Sequence, residues 1–193
     1  MVVFEGAVLD DARSVIARYP EGRERSAVMP LLYLAQAAEG RITRDGLREV
    51  AELLGITTAE VEAVATFYTM YRLRPTGEHL VNVCTNLACM LRGAKDVFEA
   101  AHEAAGMAHG QEISDDGQIT LHEEECLGVC DFAPAVQIDL MNHDNVSPER
   151  MRELISQLRA GEVPTPARGP KMESFRHASR VLAGVEPAEE ARA

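Results

Sequence analysis

Apolar side chains recur at helical spacing along the first part of the chain. Residues 7–19 form a mixed apolar and acidic stretch that stops at Pro20. Val28, Leu31, Leu32 and Ala35 then follow the i, i+3, i+4, i+7 pattern, with Pro30 tolerated near the start and Gly40 at the exit. Leu47, Val50, Ala51 and Leu54 repeat the pattern and stop at Gly55, and Val61, Val64, Ala65 and Tyr68 repeat it once more. Between these stripes "TTAE" offers a capping box, in which the Thr57 hydroxyl accepts from the Glu60 amide while the Glu60 carboxylate reaches back. The pattern predicts a small antiparallel helical bundle over residues 1–75, chemically unreactive, with Phe67, Tyr68 and Tyr71 as core or interface aromatics.

After "RPTGE" the period changes. "HLVNVC" (residues 79–84) is short, β-branched and bounded by a turn, which predicts a strand. Ala94, Val97, Phe98 and Ala101 predict a helix that exits at Gly106, and the polar loop "GQEISDDGQ" leads to the alternating strand "ITLHEEEC". "AVQID" reads as a further strand. In "SPERMRELISQLRAG", Ser147 caps a helix, Pro148 sits in its first turn, and Met151, Leu154, Ile155 and Leu158 form its buried face. Strand, helix, strand, strand, helix predicts an α/β sandwich over residues 76–161. From 162 to 193 Pro164, Pro166, Pro170 and Pro187 interrupt every period, so an extended or partly disordered tail is expected. Its middle is locally basic, with Arg168, Lys171, Arg176 and Arg180, and is either solvated or laid on an acidic partner.

Composition narrows the function. The chain has 193 residues, 46% of them hydrophobic, enough for one good core, alone or with a helical appendage. Nineteen Lys and Arg stand against 31 Asp and Glu, a net charge of -12. Such a surface opposes nucleic-acid phosphates and an anionic membrane leaflet alike. No apolar run reaches the roughly 18–20 residues needed to cross a bilayer, so no membrane insertion is expected. "MVVFEGAVLDDARSVIARYP" lacks a basic start, an apolar core and a small-residue cleavage site, and reads as the start of a mature cytosolic protein.

In a reducing compartment clustered cysteines hold metal or do redox chemistry more often than they form disulfides. The chain has four cysteines in two close pairs, Cys84 with Cys89 and Cys126 with Cys130. Neither pair has the C-x-x-C spacing of a thiol–disulfide oxidoreductase. Cys84 is expected to end the first strand and Cys89 to lie in the loop before the helix. Cys126 is expected to end the second strand and Cys130 to lie in the loop to the third. In a compact sandwich these loops can converge, giving a tetrathiolate site suited to an iron–sulfur cluster or to Zn²⁺. Gly128 lets the backbone pass close to sulfur, where loop amides can donate. C-x4-C with C-x3-C is untidy for zinc, and the wider loops favour a [2Fe–2S] rhomb with one iron per pair. Structural zinc and unligated buried cysteines remain the other readings.

The histidines add nothing to the alternatives: His122 reads as a surface histidine, and His102, His109, His143 and His177 have no partner motif. Glu123, Glu124, Glu125 and Asp131 flank the second pair, as a solvated acidic loop or as charges that tune a nearby redox centre. There is no G-x-G-x-x-G after a strand, no P-loop, no G-x-S-x-G and no HExxH. A redox centre without a substrate signature is expected to pass electrons for a partner.

"RSAVMPLLYLAQ", "VAELLGI", "VEAVATFYTMY", "VCTNLACMLRGA" and "ECLGVCDFAPAVQI" together resemble the 24-kDa subunit family of respiratory complex I, NADH–quinone oxidoreductase, over residues 14–158. The resemblance implies a helical bundle followed by a thioredoxin-like [2Fe–2S] ferredoxin domain. It implies one [2Fe–2S] cluster on Cys84, Cys89, Cys126 and Cys130. It implies docking on a larger subunit that carries FMN, the NADH site and a [4Fe–4S] cluster, and through it contact with the other peripheral-arm subunits on the cytoplasmic face of the membrane. The same module in a soluble NAD-linked formate dehydrogenase or NAD-reducing hydrogenase is the alternative, and a zinc-stapled scaffold the alternative of another class. "LMNHDN" departs from the Tyr- and Gly-containing turn common in the family, and the tail lies outside the resemblance.

Overall fold

The protein is described from a computed structural model, which covers residues 2–108 and 110–186; the readings placed on His109, on Pro187 and on the end of the tail lie outside the described residues. The described residues form two compact units, 2–75 with 176–186, and 76–175.

The first unit is helical. Its helices are α1 (Gly6–Ile16), α2 (Val28–Glu39), α3 (Arg44–Leu54) and α4 (Thr58–Phe67), with a 3₁₀ turn at Glu24–Ala27 before α2. α2 stops at Gly40 and α3 at Gly55, both left-handed, and α4 starts in the complete Thr57–Glu60 capping box, whereas α1 ends at Ile16, short of Pro20, and α4 at Phe67, which leaves Tyr68 outside it. Leu31, Leu32, Val50, Val61 and Ala65 fill its core. The aromatics divide. Tyr71 is buried, its ring 4.8 Å from that of Tyr33 and its hydroxyl donating to the Met29 carbonyl at 3.1 Å, whereas Phe67 is 78% exposed.

Where the prolines predict an extended arm, residues Phe175–Leu182 form a helix, α8, the last among the described residues. Its Ser179 hydroxyl accepts from Gln36 Nε2 at 3.1 Å, and Arg176 donates to the carbonyls of Ala37 and Ala38 at 3.1 and 2.7 Å. The prolines upstream bound this helix rather than forbid it. Two of the four basic side chains in the middle of the tail are spent on this unit: Arg176 closes the end of α2, and Arg180 pairs with Asp11 at 3.0 Å.

The second unit is a four-stranded sheet in the order β2-β1-β3-β4, with β1 at His79–Cys84, β2 at Ile119–Glu124, β3 at Val136–Ile138 and β4 at Met141–His143. β1 pairs parallel with β2 and antiparallel with β3, and β3 pairs antiparallel with β4. The parallel pair requires a crossover, which contains α6 (Ala94–Ala104). Side chains alternate across the sheet. Val81, Val83, Ile119, Leu121, Val136 and Ile138 bury one face against α6 and α7 (Pro148–Arg159), the latter through Met151, Leu154, Ile155 and Leu158. The opposite face carries a polar row along one register: Asn82 Nδ2 donates to Gln137 Oε1 at 3.3 Å, and Gln137 Nε2 to Asn142 Oδ1 at 3.2 Å. Cys84 shares the phase of Asn82 on β1.

β4 lies in the stretch that departs from the family pattern. The β3–β4 hairpin turns at Asp139 and Leu140, both left-handed at φ 49° and 69°. Such turns ordinarily use Asn or Gly. Here the Asp139 carboxylate compensates the strain by accepting from the Leu80 amide at 2.9 Å and meeting His79 Nδ1 at 2.7 Å.

That buried pair makes stability depend on pH. Burial alone would lower the His79 pKa, but the hydrogen bond and charge of Asp139 outweigh it and hold the imidazole above its usual value. A raised folded pKa stabilises below the unfolded value near 6.5 and loses that contribution as pH climbs through the folded one. Urea unfolding should therefore show stability falling as pH rises above about 6.5. Asp139→Asn should flatten that slope and cost roughly 3 kcal/mol, since it leaves a buried histidine without its counter-charge.

Candidate metal centre

Cys84 stands at the end of β1, with its amide donating to the Ala135 carbonyl at 3.1 Å and Thr85 donating to Glu124 at 2.9 Å. Its thiol is buried and lies 3.8 Å from the Glu125 carbonyl. Cys89 is equally buried but sits in a five-residue helix, α5 (Leu87–Leu91), rather than in the expected loop. Asn86 explains the helix: its side chain accepts from the Leu87 amide at 2.8 Å and caps it. The expected strand end at Cys126 also shifts, because β2 stops at Glu124. Cys126 then lies in the turn beyond, where its sulfur accepts from the Gly128 amide at 3.4 Å. Cys130 opens a 3₁₀ turn, Cys130–Phe132, in place of plain loop. Gly128 is left-handed, at φ 74°, which lets the chain double back over the sulfur.

The structure brings the second pair together and places Cys89 near Cys84 and Cys130. The sulfurs of Cys126 and Cys130 are 4.0 Å apart. Cys84 and Cys130 both lie close enough to Cys89 to oppose its ionisation. Burial first, then these neighbouring thiols, push the Cys89 thiol up to about 11, against a backbone hydrogen bond from Ala135 that favours the thiolate. The Cys130 thiol is raised chiefly by Cys126. Four crowded thiols cannot all ionise without a cation among them.

The spacing of the second pair fits two ligands of one metal. Two thiolates on one tetrahedral metal at about 2.3 Å stand about 3.8 Å apart, and the Cys126–Cys130 pair has that spacing. Among the described residues no three His, Cys, Asp or Glu side chains form a group able to hold a single metal ion. The Gly128 amide supplies the kind of donor that tunes sulfur ligands. The two pairs differ in setting, since Cys84 and Cys89 are 1% exposed while Cys126 and Cys130 are open to solvent.

One feature of the site escapes the sequence pattern. Leu87, Met90 and Leu91 are spaced i, i+3, i+4, as in a buried stripe, yet they are 71%, 45% and 79% exposed beside the thiols. Leu127 and Val129, half-buried against Cys84 and Cys89, continue this apolar collar.

The model for thioredoxin-like [2Fe–2S] ferredoxins matches residues 12–159. The chain belongs to that family, in its group of NADH–quinone oxidoreductase subunits. The corresponding NADH–quinone oxidoreductase subunit of Mycobacterium tuberculosis is 47% identical over 175 residues, covering 91% of this chain and 68% of that protein. Subunit 2 of the NADH–quinone oxidoreductase of Thermus thermophilus is 38% identical over 154 residues, 79% of this chain and 84% of that one. Among solved structures, an NAD⁺-reducing [NiFe]-hydrogenase in the air-oxidised state superposes with a TM-score of 0.60 at 20% identity, over 69% of this chain and 23% of that one, a likeness of fold.

Two expectations arise for the loaded protein. Cys84→Ser and Cys130→Ser each remove one ligand from a pair, and iron analysis of either variant should show the cluster lost or readily shed. The second concerns charge, because Glu125 and Asp131 sit in the solvent-exposed cysteine loop. Glu125→Gln with Asp131→Asn should raise the midpoint potential by about a few tens of millivolts at low salt and by less at high salt, with iron content unchanged. A redox titration that coincides with the parent at low salt would leave the loop a solvated surface.

Proposed function

We propose that this chain holds one [2Fe–2S] cluster on Cys84, Cys89, Cys126 and Cys130 and exchanges single electrons with FMN on the NADH-binding subunit of an NADH–quinone oxidoreductase. The observation that carries the reading is the paired thiol geometry, one pair buried and one pair open and ringed by apolar side chains. When bound, the cluster supplies a store for one electron at a time. The buried cysteines tie that store to the sheet, and the backbone donors at Gly128 and Ala135 stabilise thiolate sulfur. The exposed cysteines leave it within reach of a docked partner.

An exposed face of Leu87, Met90 and Leu91 costs free energy while it stays wet, and about 25 cal/mol per Å² returns when a partner covers it. In this reading that partner is the flavin subunit, and NADH binds there. Through it the chain joins the remaining peripheral-arm subunits on the cytoplasmic side of the membrane. No helix among the described residues is long and apolar enough to cross a membrane. An NAD-linked formate dehydrogenase or hydrogenase would use the same surface, and co-purification from native membranes separates the hosts.

The purified chain should be brown, with two irons and two acid-labile sulfides and a rhombic EPR signal after strong reduction. It should not oxidise NADH until the flavin subunit is added. Leu87→Ser with Leu91→Ser should weaken that association at least about tenfold, some 1.4 kcal/mol, while leaving iron content alone. Zinc without labile sulfide would overturn the cluster, and NADH oxidation by the pure chain at the rate of the pair would overturn the division of labour.

A further inference from the structure

The exposed cysteine pair lacks the strand ladder that holds Cys84 in place. Cys84 is fixed by its pairing with Glu124 on β2 and by its amide bond to the Ala135 carbonyl, whereas Cys126 and Cys130 lie in turns open to solvent. The segment after Cys130 is nevertheless tied down. The Phe132 carbonyl accepts from the Asn145 amide at 2.8 Å, and the Pro134 carbonyl from the Val146 amide at 2.9 Å. These bonds stitch the residues beyond the second cysteine pair to the turn between β4 and α7.

Arg168 closes over that stitch. Its Nε lies 2.9 Å from Asp144 Oδ2 and its Nη2 donates to Asp144 Oδ1 at 3.2 Å, a two-pronged grip on a carboxylate only 8% exposed. The same guanidinium carbon lies 4.3 Å above the centre of the Phe132 ring. One planar group therefore spans both sides of the seam, paired at its edge with Asp144 and stacked by its face on the last residue of the Cys130 turn. Arg168 is brought there by its own segment: Pro164 and Pro166 are buried, and the Met172 amide meets Met141 Sδ, on β4, at 3.0 Å.

We propose that Arg168 is a positioning residue for the cluster: the tail acts as a strap whose guanidinium locks the Cys130 turn and adds a fixed positive charge beside it. This rests on the cluster assignment above. Lysine cannot replace it fully, because a point charge has neither the fork that fits Asp144 nor the flat face that fits Phe132. Loss of the guanidinium also leaves Asp144 as an unpaired carboxylate, so the field beside the site becomes more negative by one charge.

The experiment compares the full chain with Arg168→Met, Arg168→Lys and Phe132→Leu. In the loaded protein, iron release to a chelator should be at least about tenfold faster in Arg168→Met and in Phe132→Leu. The midpoint potential should fall in Arg168→Met and return toward the parent in Arg168→Lys, while release in the lysine variant stays fast. In the metal-free chain, amide exchange at Asn145 and Val146 should quicken in Arg168→Met and not at α4. Quickened exchange in a protein that contains no iron and no labile sulfide would sink the cluster assignment and leave the strap standing. Release, potential and exchange all within twofold or overlapping the parent, in a protein that carries its cluster, would overturn the strap.

Discussion

The double pairing of β1 is the constraint on which the site depends. Parallel pairing with β2 carries the chain past Glu124 into the Cys126 turn, and antiparallel pairing with β3 aligns the residues after Cys130 with the end of β1. Cys84 itself is held by Ala135 on one side, and Thr85 is held by Glu124 on the other. A slip of one residue in either ladder would turn Cys84 to the face packed by α6 and α7 and set the alternation of polar and apolar positions against the core. The hydrophobic face formed by Val81, Val83, Ile119, Leu121, Val136 and Ile138 thus fixes more than stability, because it fixes which way the first thiol points.

Burial and charge then divide the four thiols. The inner pair is dry, and the Cys89 thiol, pushed up to about 11, stays protonated near neutral pH until a metal displaces the proton. The outer pair is wet, so its order must come from directional contacts: the Gly128 amide on Cys126, and the seam under Phe132. An iron–sulfur site with one pair buried and the other exposed is anchored by the fold on one side and open to exchange on the other. That asymmetry suits a module that takes an electron from outside.

Much of this is legible in the sequence, for identifiable reasons. The helical stripes, the Thr57 capping box, the Gly40 and Gly55 stops and the Ser147 cap depend on neighbours within a few residues, and the structure keeps each of them. The two cysteine spacings point to a tetrathiolate site before any fold is known. The elements that escape the sequence pattern are those whose support comes from far along the chain. β4 is illegible because its turn is Asp139–Leu140, and the compensation comes from Leu80 and His79, some sixty residues away. α8 is hidden by surrounding prolines and by a buried face in which Phe175 is joined only by small Ala178 and Ser179, the latter bonded to Gln36, 143 residues earlier. α5 has five residues, too few to show a period, although Asn86 supplies its cap.

The exposed residues of α5 show why a hydrophobic pattern predicts an element better than it predicts the element's partner. Leu87, Met90 and Leu91 obey the spacing of a buried stripe, and in this chain that stripe faces solvent. Periodicity records that a face is to be covered, whether by the same chain or by another. Phe67, exposed at the end of α4 while Tyr71 is buried four residues on, repeats the lesson in the helical unit. The basic tail gives the converse case. Arg168, Arg176 and Arg180 read as charges available to an acidic partner, and each is instead engaged within its own chain, by Asp144, by the carbonyls of α2 and by Asp11. Apolar residues that look internal are turned outward, and charges that look outward are folded in.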